Sequence, residues 1–235
     1  MENFLNIFLL GDVPNDLVSF TFFIGTMAMM AASVFFFLSL DAGGGKWRTS
    51  MLVSGLITFI AAVHYYYMRD ANVSGADVTF FRYVDWILTV PLMCVEFYLI
   101  LAKAGATKKL MWQLIGLSTV MLVAGYIGET GDSPVLYGTI SGIAYFVMVG
   151  MLWLGSPKAL AEKAGGSVLE AYNALCWFIL VGWSIYPIGY MIGTEGWYDF
   201  VDALGWNMEV VYNVGDAVNK IGFGLVIYNL AVSDK

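Results

Sequence analysis

The sequence predicts an all-α fold, a bundle of seven membrane-spanning helices, and three observations lead there. Apolar residues make up 60% of the 235 and charged residues 12%, with a mean hydropathy of +0.75, against ~25% charged in an average soluble domain. Seven stretches, 17–40, 49–68, 78–102, 110–128, 133–155, 171–194 and 203–233, carry no charge or a few isolated ones. Each is long enough to cross a hydrocarbon core of ~30 Å at ~1.5 Å per residue. The connections are short, so residues 1–235 are expected to form one domain in a lipid bilayer.

Span one is uncharged and follows "MENFLNIFLLGDVPND", which has no basic leading segment and no cleavage site; an outer cap is expected there, not a signal peptide. "LDAGGGKWRTS" is a Gly-rich link to span two, which ends in "VHYYYM" with His64. Span three holds Arg82, Asp85 and Glu96, and span four ends in "VAGYIGE". Span five leads into "WLGSPKALAEKAGGS", a short basic linker with bends at Pro157 and Gly165–Gly166. Span six contains "WSIYPIGY" and span seven "GDAVNKIGFGLVIYNLAV", with Asp216 and Lys220 in an otherwise apolar run. No repeat of 20–50 residues and no pair of broken helices is visible. Cys94 and Cys176 both fall inside spans, which gives no disulfide framework, and one His with two separated Cys makes no metal site.

Loop charges set the orientation. Lys46 and Arg48, then Lys103, Lys108 and Lys109, then Lys158 and Lys163 lie in alternate loops on one side. The other side carries Asp70, Asp77, Glu129, Asp132, Glu195, Asp199 and Asp202, with Arg69 its one basic residue. By the positive-inside rule the N-terminus is outside and the C-terminus, at Lys235, cytoplasmic. The net charge of −7 suggests no nucleic-acid partner.

A charge at the bilayer centre costs ~3 kcal/mol, so the few ionisable groups within spans should face the bundle interior and find partners. Asp216 precedes Lys220 by four residues, on one helix face, ~6 Å apart along the axis. Span seven runs inward, placing Asp216 on the outer side of the lysine, and Asp85 on span three reaches the same layer. Thr89, one turn on, can hydrogen-bond Asp85. Glu96 lies eleven residues beyond Asp85, about three turns or ~16 Å towards the cytoplasm and on the same face. Carboxyl groups on both sides of a buried amine are what a proton relay requires. A Lys–Asp pair can also simply hold two helices in register. That explains a lone Glu96 poorly, because an unpartnered acid in apolar surroundings favours its neutral form. His64 falls near the depth of Asp85, either as a packing residue or as a hydrogen-bond partner that tunes it.

"RYVDWILTVPLMCVEFYLILA" (82–102), "GWSIYPIGY" (182–190) and "YNVGDAVNKIGFGLVIYNLAV" (212–232), with "KWRTSMLVSGLIT" and "VHYYYMRD", closely resemble the proteorhodopsins among the microbial rhodopsins. The resemblance spans all seven helices and implies a multi-pass protein of the cell (inner) membrane. It implies all-trans retinal as a protonated Schiff base on Lys220, Asp85 as primary proton acceptor, Asp216 as second counterion and Arg82 as the cation beneath them. Glu96 matches the cytoplasmic donor and His64 the histidine that partners the acceptor. Trp86, Met93, Trp183, Tyr186, Pro187 and Tyr190 match positions around the polyene.

The activity so implied is a light-driven outward proton pump, an ion transporter and not an enzyme. The alternative is a sensory photoreceptor signalling through a membrane partner, which has little need of Glu96. The triplet Asp85, Thr89, Glu96 fits neither the sodium-pump nor the chloride-pump pattern, and apolar Met93 at the colour position suggests green absorption. Gly138 falls where many relatives have a bulky aromatic. In xanthorhodopsin-like pumps a glycine there opens a window to a hydroxylated carotenoid antenna, while small residues in membrane helices also serve close packing. Family members commonly assemble as pentamers or hexamers, so a homo-oligomer is expected.

Overall fold

The computed structural model describes residues 16–192 and 207–234. The expected outer cap over 1–15, the span ends at 193–194 and 203–206, and Glu195, Asp199, Asp202 and Lys235 lie outside the described residues. Among those described the protein is all-helical. Span one is α1 (Leu17–Leu38), span two α2 (Arg48–Val73), span three α3 (Thr79–Leu101), span four α4 (Lys108–Thr130) and span five α5 (Pro134–Leu154). A short α6 (Ser156–Ala164) follows. Span six is α7 (Gly166–Trp177), a π-helical turn (Phe178–Gly182) and α8 (Ile185–Ile192), and span seven is α9 (Met208–Ser233).

Six of the seven spans are long and apolar enough to cross a membrane by length and composition. The seventh, α9, is interrupted by Glu209, Asp216 and Lys220, and it packs against α1, α2 and α7 so that Asp216 and Lys220 face protein. Neighbours in sequence are mostly neighbours in space: α1 packs on α2, α2 on α3, α3 on α4 and α4 on α5. Short connections force this order.

Helix ends follow local chemistry. Asp16 caps α1 by accepting from the Ser19 N–H at 2.8 Å, and Asn207 caps α9 by accepting from the Glu209 N–H at 3.0 Å. The first Gly-rich link folds as a 3₁₀ turn, Ala42–Gly45. Gly43 there has φ 58°, and a Cβ on it would run into the Ala231 carbonyl at the end of α9, so a bare backbone is needed. Beside it Asp234 accepts from Trp47 Nε1 at 3.0 Å and from Lys46 Nζ at 2.5 Å, tying the C-terminal turn to this link.

Three boundaries correct the sequence reading. The basic linker after span five is the helix α6, because Pro157 lies in its first turn and Gly165 (φ 65°) ends it. Span two runs on to Val73, so Arg69 and Asp70 are helical, and Arg69 is buried over the Phe23 ring at 5.7 Å. Glu129, expected in an outer loop, lies in the last turn of α4.

Candidate functional site: a lysine between two carboxylates at a cavity wall

Lys220, midway along α9, is buried and donates from Nζ to Asp85 Oδ2 and Asp216 Oδ2 at 2.5 Å each. One pair is set within α9 by the four-residue step, and the other crosses to α3. Asp216 Oδ1 accepts from Tyr186 Oη at 3.0 Å, whereas Asp85 Oδ1 is buried without a hydrogen-bond partner among the described residues. This leaves a buried carboxylate oxygen beside the amine with hydrogen-bonding capacity to spare.

Several expected partnerships are different in the structure. Thr89 donates to the main-chain oxygen of Asp85 at 2.9 Å, not to its carboxylate, because its hydroxyl reaches back one turn along α3. The ring of His64, half-buried, has Nδ1 2.9 Å from the Ile60 carbonyl of its own helix, so the expected hydrogen bond to Asp85 is not made. Arg82 is buried, but it pairs with Glu209 Oε2 and lies over the Tyr212 ring at 5.1 Å, not against Asp85 or Asp216. Glu96 is fully buried but not alone: Ser54 Oγ on α2 donates to its Oε1 at 3.3 Å and the Ser50 side chain also interacts with the carboxyl, while Oε2 has no partner in hydrogen-bond geometry among the described residues. Phe97 and Phe223, with ring centroids 6.0 Å apart, and Tyr172, 5.8 Å from Phe97, form an apolar layer in this half of the bundle.

A cavity of about 530 Å³ reaches Lys220 and Asp216, within the range of small-molecule sites. Trp86, Met93, Trp183, Tyr186, Pro187, Gly138 and Tyr190 all border it; Asp85 and Thr89 do not. Gly138 is not a bare window, because a Cβ there would overlap the Tyr190 ring. Tyr190 fills the space itself and donates to the Pro134 carbonyl at 2.6 Å.

Sequence reasoning missed other wall residues. Tyr145 donates to the carbonyls of Ile179 and Leu180 at 3.0 and 2.9 Å, and Asn219 Nδ2 to that of Gly182 at 2.9 Å. These oxygens belong to the π-helical turn, whose hydrogen-bond ladder is irregular, and only three-dimensional proximity reveals the pairing. Glu129 accepts from Tyr83 at 2.8 Å at another part of the wall. No cluster of metal-ligating side chains occurs among the described residues.

Residues 16–234 match the family model described as bacteriorhodopsin-like protein. The chain belongs to that family. This bacteriorhodopsin-like protein is 46% identical over 232 residues to the blue-light absorbing proteorhodopsin of Gamma-proteobacterium Hot 75m4, covering 95% of this chain and 90% of the relative. It is 44% identical over 229 residues to the green-light absorbing proteorhodopsin of Gamma-proteobacterium EBAC31A08, with the same coverage. The crystal structure of xanthorhodopsin, described as a light-driven ion pump with dual chromophore, superposes with a TM-score of 0.79 at 30% identity and covers 93% of each chain. The bacteriorhodopsin-like chain is thus a multi-pass protein of the cell membrane. The family binds retinal through a lysine Schiff base, and the site fits it: a largely apolar cavity, one lysine among its described wall residues, and two carboxylates to balance a cation there.

Proposed function

We propose that the protein is a light-driven outward proton pump, with retinal on Lys220, formed by residues 1–235 as one unit. The observation that carries this reading is the asymmetry about Lys220 Nζ: two carboxylates at 2.5 Å on one side, and Glu96 about three helical turns from Asp85 on the other. The relatives' names, proteorhodopsin and light-driven ion pump, support the same class. The chemistry that bound retinal supplies is absorption of a photon and, through a change of shape, a loss of proton affinity at the Lys220 nitrogen.

The chain's own groups give that event a direction. Asp85 accepts the proton held at Nζ, its free Oδ1 offering a site. Asp216, held by Tyr186, balances charge at Nζ. Arg82 and Glu209 hold a fixed pair on the outer side. The Phe97–Phe223–Tyr172 layer keeps water from the inner side, so return of a proton falls to Glu96, with Ser54 orienting its carboxyl. A proton taken outward and replaced from the lysine-rich side moves net charge out of the cell. His64 acts through its position near Asp85, and buried Met93 in the apolar wall favours green absorption. The protein works as a homo-oligomer, a pentamer or hexamer.

Illumination of vesicles or cells with and without a protonophore tests the pump. Acidification of the medium that the protonophore abolishes, and that Asp85→Asn removes while colour persists, supports it. A coloured protein that moves no protons would instead be a photoreceptor.

A further inference from the structure

Tyr83 and Glu129, hydrogen-bonded to each other at 2.8 Å, stand in the wall of the cavity that reaches Lys220. Its flank between α5 and the sixth span is different. Ile143 and Phe146 on α5 and Ile188 on α8 border the cavity and yet are 59%, 66% and 44% exposed on the bundle's lipid-facing surface. Gly142, also in the wall, has open space where a side chain would be: a Cβ there meets nothing within 4 Å. One turn along α5 the corresponding space at Gly138 is filled by Tyr190.

We propose that this gap at Gly142, flanked by Ile143, Phe146 and Ile188, is the port through which retinal enters from the bilayer to reach Lys220. The inference rests on the retinal reading above and adds its route. A long apolar aldehyde resides in hydrocarbon and not in water, and an opening flanked by the apolar side chains of Ile143, Phe146 and Ile188 admits it without passing a charged group. At Lys220, Nζ bonds to the aldehyde carbon, the carbon–oxygen double bond breaks and the oxygen leaves as one water carrying two hydrogens from the nitrogen.

The test is the rate at which the visible band appears when apoprotein vesicles receive all-trans retinal dissolved in their lipid. Ile143→Trp, which narrows the gap, should slow it about tenfold, and Phe146→Ala, which widens it, should speed it several-fold. Each rate is read relative to that protein's own final absorbance, which also reports correct folding. Val147→Trp, on the same lipid-facing helix (46% exposed) but away from the cavity, should match wild type. Equal rates in all four proteins would overturn the port. Absence of a band in the wild type would sink the retinal reading itself, so the two failures are distinct.

Discussion

Arg82 on α3 donates to the carboxylate of Glu209 at the start of α9, 127 residues away in sequence. The guanidinium is 4% exposed and the carboxylate 37%, so this is a half-buried pair that ties two spans together.

Glu209→Gln should therefore lower stability by about 1–3 kcal/mol, less than for a fully buried pair because Glu209 is partly solvated. The check is the midpoint of thermal bleaching of the coloured protein, and an unchanged midpoint would mean that Arg82 draws its stability from Tyr212 and other neighbours.

Glu96 and Ser54 are expected to act in sequence. Glu96→Gln should slow return of a proton to the Lys220 nitrogen by roughly a hundredfold. Ser54→Ala, which leaves the acid in place but removes the hydrogen bond to its Oε1, should slow it several-fold. Flash spectroscopy at neutral pH measures both, and equal rates in Ser54→Ala and wild type would remove Ser54 from the pathway.

At Gly138 a methyl group would overlap the Tyr190 ring. Gly138→Ala is expected to cost about 1–3 kcal/mol from overpacking, with part of the loss recovered when Tyr190→Leu is added. A double-mutant cycle on thermal bleaching reads the coupling; additive effects would show that the two positions are not in contact.

The C-terminal turn should be acid-sensitive. The Lys46 hydrogen bond holds the Asp234 carboxyl below the usual carboxylate range. A group whose folded value is depressed stabilises the fold above its unfolded value of ~3.9 and loses that contribution as pH falls through the folded value. Hydrogen exchange of the last turn of α9, corrected for intrinsic rates, should be steady from pH 6 to about pH 4 and accelerate as pH falls below about 4 in wild type and not in Asp234→Asn.

Relations within one helix were legible in the residues themselves. The period of 3.6 places Asp216 and Lys220 on one face, and the same period puts Asp85 and Glu96 on one stripe of α3, wherever those helices lie. The number of spans followed from apolar length, and the pocket residues from motif resemblance. Relations between helices were not legible: that Arg82 meets Glu209, that Ser54 meets Glu96, that Tyr190 fills Gly138 and leaves Gly142 open, and that Tyr145 and Asn219 satisfy the π-helical turn. These depend on the rotation and depth of each helix against its neighbours, which packing of the whole bundle decides and no local period encodes.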